Sequence, residues 1–208
     1  TKLLENKSIL KKLNVEKVPT GKGAALWLSI PICSGDIVCF IDSDIMNFKK
    51  EMVVSLCNPL IKSINNAYHK TVFSKAYYKR LTLRYESVAR EYVFGGRVTR
   101  LFIKPMLKIL SKRYPDLFRG FDKINYPLSG ENATFKDILE HLHFPCDYNI
   151  ELSTLYQIIR KYDVDSIAQV DLDLFHHIGQ SVKGLHNMVS QLSIYLVKLL
   201  EEKGITLS

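Results

Sequence analysis

The chain has 208 residues, 47% of them hydrophobic and 24% charged, with a formal net charge of +8. That mixture fits one globular domain and excludes a disordered tail or a fibrous repeat. No apolar run approaches the roughly 20 residues that span a bilayer, and the lysine-rich start has no signal-peptide core, so a cytoplasmic protein without a membrane partner is expected.

The positive charges are spread over "KRLTLRYESVAR", "RVTRLFIK" and "KILSKRY" rather than gathered in one tail. No nucleic-acid-binding signature accompanies them, and a phosphorylated small molecule suits the charge equally well. No nucleic-acid partner is therefore expected. Cys33, Cys39, Cys57 and Cys146 form no Cys-x-x-Cys pair, and three lie in apolar runs. They read as free thiols in a reducing compartment.

Residues 1–13 put Leu3, Leu10 and Leu13 on one side of a helix, which "NVEKVPTGKG" ends. Thr20 or Gly21 can cap the next helix, through "KGAALWLSIPIC", and "SGD" breaks it. "IVCFI" is short, apolar and β-rich, and reads as a buried central strand. A helix over "KKEMVVSLCNPLIKSI", a strand over "TVFSKAYY" and a long Arg/Tyr-rich segment lead to "FGGRVT". The spacing predicts a helix over "RVTRLFIKPMLKILSKRY", kinked or split by Pro105. "YPLSGENATFKDILEHL" reads as strand, turn, helix. "IELSTLYQIIRKY" is a helix after the turn "FPCDYN", and "DSIAQVDLDLFHH" is a further strand. The last helix, "SVKGLHNMVSQLSIYLVKLLEEKG", aligns Leu185, Met188, Val189, Leu192, Leu196 and Leu199 in one stripe and ends at Gly204. The stripe suits a homodimer or a core. This alternation of helices and strands is that of an α/β layer fold. Such folds open on a strand and this chain opens on a helix, so the first strands of the sheet are expected to be missing from it.

Five features could carry chemistry. Asp42-Ser43-Asp44 follows a strand, where open α/β sheets bind ligands. Two carboxylates there suit Mg²⁺ or Mn²⁺ with a diphosphate, or simply cap a strand end. His176-His177 ends another strand. An imidazole there could join Asp44 at a metal if the two strand ends meet, or could pack as an ordinary histidine. "GKG" at Gly21-Lys22-Gly23 opens a helix and permits close approach of an anion. "GGRVT" at Gly95–Thr99 offers the Arg97 fork and the Thr99 hydroxyl to a phosphate or carboxylate, or is a hinge. Glu131, Tyr148 and Glu151 lie at helix starts, where a carboxylate can serve only as a dipole partner.

Taken in order, "GKGAALW", "GDIVCFIDSD", "NPLI", "SKAYYKR", "GGRVTRLFIKPML", "YPLSGENA", "YNIELSTL" and "DSIAQVDLDLFHH" resemble retaining glycosyltransferases of the GT-A fold. The resemblance is to the glucosyl-3-phosphoglycerate synthases, with mannosyl-3-phosphoglycerate synthase-like enzymes beside them. It implies a mixed central sheet flanked by helices and one domain over 1–208. Residues 1–94 would hold the nucleotide-sugar and metal, 95–180 the acceptor, and 181–208 form the C-terminal helix. It further implies a divalent metal on Asp42, Asp44 and His177, and a nucleotide-sugar donor on Lys22, Asp42, Ser43, Asp44 and Gly96. A small phosphorylated acceptor, 3-phosphoglycerate, would meet Arg97, Val98 and Thr99. Tyr148, Glu151 and Arg97 would be the catalytic residues, with Glu131 on the acceptor side. The implied reaction retains anomeric configuration by front-side attack. Phe175 and Gly179 stand where the family carries an arginine and often a polar residue. A different sugar or acceptor, or a truncated non-catalytic interaction module, are the alternatives.

Overall fold

In the computed structural model, residues 11, 14, 20–66, 70–86, 89–178 and 181–205 are described. The helix expected over 1–13 lies outside them but for residue 11. The "GKG" glycines shape the first described element. Gly21, with φ 145° and ψ 170°, adopts an N-cap conformation that other residues rarely take. A Cβ on Gly21 or Gly23 would strike the carbonyl oxygens of Cys146 and Pro145. Helix α1 (Lys22–Ser29) therefore starts flush against that loop and runs on as a 3₁₀ turn, Ile30–Ile32.

Strand β1 (Ile37–Phe40) follows, then α2 (Lys50–Asn65), which buries Met52, Leu56 and Leu60 on one face. β2 (Phe73–Glu86) continues far beyond the expected end near Tyr78, and β3 (Ala89–Phe94) folds back on it, with Leu81 opposite Phe94 and Glu86 opposite Ala89. The charged residues of this hairpin hide in the sequence the alternation that marks a half-buried strand, and the backbone pairing defines it. Thr99–Ile103 is a π-helical turn, and α3 (Lys104–Arg113) follows with Pro105 in its first turn. The proline thus divides the expected helix where the π-helical turn gives way to α3.

A single turn, α4 (Pro115–Phe118), precedes β4 (Asn132–Phe135) and α5 (Lys136–Glu140). The strand expected at "YPLSG" is corrected: that stretch is a turn, with Ser129 Oγ donating to the carbonyls of Ala76 and Tyr126. Pro127 has no N–H for a ladder. α6 (Ile150–Tyr162), β5 (Ile167–Ile178) and α7 (Val182–Glu201) complete the described chain. Ser181 Oγ caps α7 by accepting from the Gly184 N–H at 3.2 Å.

The described strands form one mixed five-stranded sheet in the order β1-β4-β2-β3, with β5 on the other side of β2. β1–β4, β4–β2 and β2–β3 are antiparallel and β2–β5 is parallel. The long β2, not β1, is the central strand; β1 pairs only with β4 among the described residues and is mostly half-buried. By these pairings β1, β2 and β5 run in one direction, so their C-terminal ends share one edge. α2 packs on the sheet through Met52, Leu56, Leu60, Tyr78 and Phe175. A second core joins Ile103 and Leu107 to Leu155 of α6 and to Leu192, Leu196 and Leu199 of α7. The apolar stripe of the last helix is spent on this core.

Candidate active site

The chain leaves β1 and turns through Asp42-Ser43-Asp44. Three hydrogen bonds and a β-bridge fasten this turn to the end of β5. The Met46 N–H donates to the His176 carbonyl at 3.0 Å, and Ile45 forms an antiparallel bridge with His177. Asn47 Nδ2 donates to the Leu174 carbonyl at 2.6 Å, and its Oδ1 accepts from the His176 N–H at 3.0 Å. Asp44 Oδ1 consequently lies 3.6 Å from His177 Nδ1. The Asp44 carboxylate is half exposed, whereas His177 is 1% exposed and neither ring nitrogen has a hydrogen-bond partner. Burial and the nearby Arg80 pull the imidazole below its ordinary pKa, against the pull of Asp44 and Asp42. It is therefore neutral at pH 7, with a lone pair to give.

Asp42 turns the other way. Lys22 Nζ is 2.6 Å from Asp42 Oδ1 and 2.7 Å from Glu151 Oε1. Burial works against the Lys22 charge, but the carboxylates of Glu151 and Asp42 outweigh it and hold the ammonium above its usual range. Glu151 sits in the first turn of α6, where the helix dipole favours a carboxylate. A Cβ on Gly130 would overlap the Asp42 carboxylate and Lys22 Nζ, so only glycine permits this approach.

Lys22, Asp42, Asp44, the Gly95–Thr99 loop, Tyr148 and Glu151 line one open cleft. Gly96 has φ 68° and lies against the Tyr126 hydroxyl. The Arg100 N–H donates to the Gly96 carbonyl at 2.9 Å, an α-type bond that opens the helix ahead of the π-helical turn, and Val98 and Thr99 are buried. The backbone N–H of Tyr148 donates to Gln191 Oε1 at 2.9 Å while its ring stays partly exposed. Ser43 is exposed and does not line the cleft. Glu131 lies beneath, fully buried, its Oε2 accepting from the Tyr78 hydroxyl at 2.8 Å and its Oε1 unpartnered. Burial, with Asp42 adding, raises its pKa. Phe175 is fully buried and stacks on Tyr78 at 4.1 Å and 4°. It is a core residue rather than a cleft residue, and Gly179 lies outside the described residues.

Two cations escaped the sequence reading. Arg80 on β2 lines the cleft. Lys75 is 2% exposed, donates to the Ser129 carbonyl at 2.9 Å, and is lowered by burial to a pKa of about 8, against Glu151 and Glu131. Basic residues in "SKAYYKR" look solvated until strand pairing shows which of them turn inward.

A divalent metal is what this donor set fits. Among the described residues no three His, Cys, Asp or Glu side chains gather for an ion. The pair Asp44 and His177 remains, a hard carboxylate oxygen beside an orphaned imidazole, which suits Mn²⁺ better than a purely structural zinc site.

Comparison with known proteins gives this arrangement a context. No protein-family model matches the chain. The glucosyl-3-phosphoglycerate synthase of Petrotoga mobilis is 36% identical over 184 residues, covering 88% of this chain and 52% of that protein. The enzyme of the same name from Mycobacterium tuberculosis is 34% identical over 190 residues, covering 90% and 54%. The chain is a homologue of the glucosyl-3-phosphoglycerate synthases. It spans about half the length of the curated relatives it matches. The crystal structure of the M. tuberculosis synthase with Mn²⁺, UDP and glucosyl-3-phosphoglycerate matches with a TM-score of 0.74 at 31% identity, over 96% of this chain and 61% of that one. The same synthase with Mn²⁺, UDP-glucose and phosphoglyceric acid matches with a TM-score of 0.73. The fold is that of GT-A glycosyltransferases, as the likeness to these synthases shows.

Proposed function

We propose that the protein is a retaining glycosyltransferase that moves glucose from UDP-glucose to 3-phosphoglycerate with a divalent metal. The observation that carries this reading is the approach of Asp44 to the unpartnered His177 at the edge where β1 and β5 end, beside the cleft. Names of homologues supply the substrates, and the M. tuberculosis complexes supply Mn²⁺.

In this reading Asp44 and His177 hold the metal, and Asp42 reaches the donor through Lys22 rather than as a third close ligand. Bound there, the ion would neutralise charge that builds on the leaving diphosphate. Lys22, fixed between two carboxylates, presents a permanent cation at the donor side, and Gly96 lines the same cleft, while Ser43, expected at the donor, stands outside it. Arg97 pairs with the anionic acceptor, and the Val98–Thr99 segment shapes its seat. The acceptor hydroxyl oxygen bonds to the anomeric carbon from the face that the diphosphate oxygen leaves. The departing phosphate takes the hydroxyl proton. Tyr148 and Glu151 orient the sugar and Glu131 supports the acceptor side from beneath. Catalysis is then positioning and electrostatics.

Other expectations belong to the same proposal. Mg²⁺ substitutes for Mn²⁺; the enzyme is cytoplasmic; residues 1–94, 95–180 and 181–208 divide donor, acceptor and helical roles. The four cysteines are free, which suits a reducing compartment. A homodimer is part of the same proposal, although Leu192, Leu196 and Leu199 of the α7 stripe are buried in the chain's own core. No described helix is long and apolar enough to cross a membrane. The test is transfer of glucose from UDP-glucose to 3-phosphoglycerate, with Mn²⁺ and with EDTA. Product that requires the metal is expected. Metal-independent product, or none from folded protein, overturns the reading.

A further inference from the structure

Arg80 lies on β2 where that strand passes the cleft, and no role above uses it. Its surroundings are rigid. The Gly95 N–H donates to the Arg80 carbonyl at 2.7 Å, which ties this point of β2 to the Gly95–Thr99 loop. In register it stands opposite Phe175, whose buried ring stacks on Tyr78. Arginine suits this place better than lysine because its fork can meet two oxygens of one anion. Its Nε is sealed from solvent and has no hydrogen-bond partner. Burial weighs against the charge, yet Tyr126, Tyr78 and Asp44 together hold it firmly protonated. Its charge also weighs against protonation of the His177 imidazole.

A half-buried guanidinium with an orphaned N–H is costly unless an acceptor completes it. The other cation on the donor side, Lys22, is already clasped by two carboxylates. Asp44, the anion near Arg80, is the group expected to turn to the metal. Once it does, Arg80 faces the cleft between that pair and the Gly95–Thr99 loop, with a fork suited to two oxygens of one anion.

We propose that Arg80 is a substrate-binding residue that engages a phosphate or carboxylate oxygen of a reactant seated in the cleft. The anion is either the donor diphosphate or the phosphoglycerate, and the assignment of those reactants rests on the function proposed above.

The experiment compares wild type with Arg80→Gln and Arg80→Lys in steady-state glucosyl transfer, with thermal melting in parallel. Arg80→Gln should raise one KM, or lower kcat, by at least about tenfold at an unchanged melting temperature. Arg80→Lys should recover part of the loss. A raised KM for 3-phosphoglycerate assigns the acceptor; a raised KM for UDP-glucose or a lowered kcat assigns the diphosphate. Kinetics within about twofold of wild type, or a loss that follows a fallen melting temperature, overturn the proposal. If wild type makes no product, the functional reading fails, and Arg80 is judged by calorimetric titration of 3-phosphoglycerate and of inorganic pyrophosphate into both proteins. Binding of one of them weakened at least about tenfold in Arg80→Gln supports it. Equal affinities, or no binding of either to wild type, overturn it.

Discussion

The helical core and the cleft end of the sheet bury their residues in opposite ways. Around α3, α6 and α7 the interior is Ile103, Leu107, Leu155, Leu192 and Leu196, apolar side chains filling one another's gaps. At the cleft end, Arg80, Tyr126, Glu131 and His177 each bury a polar atom without a partner. Buried polar groups in a native protein are nearly always satisfied. Among the described residues several such open atoms gather near this one cleft, which suits a bound group that completes them. The helical layer supplies the stability that this costs, and the proposed chemistry lies at the sheet edge.

If the division holds, substitutions should separate activity from stability. The largest effect is expected at Arg97. Arg97→Ala should cut turnover with 3-phosphoglycerate about 10³-fold while the melting temperature stays put, since the side chain lies in the cleft and not in a core. Unchanged kinetics would remove the acceptor assignment. The mirror experiment is Leu196→Ala in α7. It should cost about 2–5 kcal/mol in chemical denaturation and leave the KM values of the folded enzyme alone. A changed KM at constant stability would mean that the two regions are not separable.

Lys75 sharpens the same contrast through pH. Its pKa in the folded protein is about 8, below the ordinary 10.5. Between those values the unfolded chain binds the extra proton, so stability must rise with pH across that window. Wild type should gain up to about 3 kcal/mol relative to Lys75→Met between pH 8 and 10.5, and nothing below pH 8. Parallel stability curves for the two proteins would show that the lysine is not buried as a cation. A smaller effect is expected from Gly130→Ala. Its methyl would press on Asp42 and Lys22, so donor KM should rise by about threefold to tenfold with about 1 kcal/mol of stability lost. A variant indistinguishable from wild type would mean that the Lys22–Asp42 contact tolerates displacement.

Much of this was legible before the structure. The helices α2, α6 and α7 show in their apolar spacing, and α6 has the residue range read from the sequence. Pro105 announced the break before α3. The strand β1 was found but misplaced at the centre of the sheet, because a short apolar run looks the same at either position until its partners are known. The β2–β3 hairpin was hidden by its charges, and with it Arg80; Lys75 lay within the strand that was read, but its inward turn depends on pairing with β4 and β5. Asp44 and His177 stand far apart in the chain, and their residue types alone allowed a capped turn and a packed histidine. What joins them is the set of bonds from Ile45, Met46 and Asn47 to β5, backbone and amide contacts that leave no signature in composition.

That junction is the centre of the account, and metal binding tests it most directly. Mn²⁺ should be titrated into wild type, Asp44→Asn and His177→Ala in the presence of UDP, with free Mn²⁺ followed by electron paramagnetic resonance. Wild type should bind one ion, and each variant should weaken it by at least about 100-fold while remaining folded. Equal Mn²⁺ affinity in all three proteins would contradict the shared site.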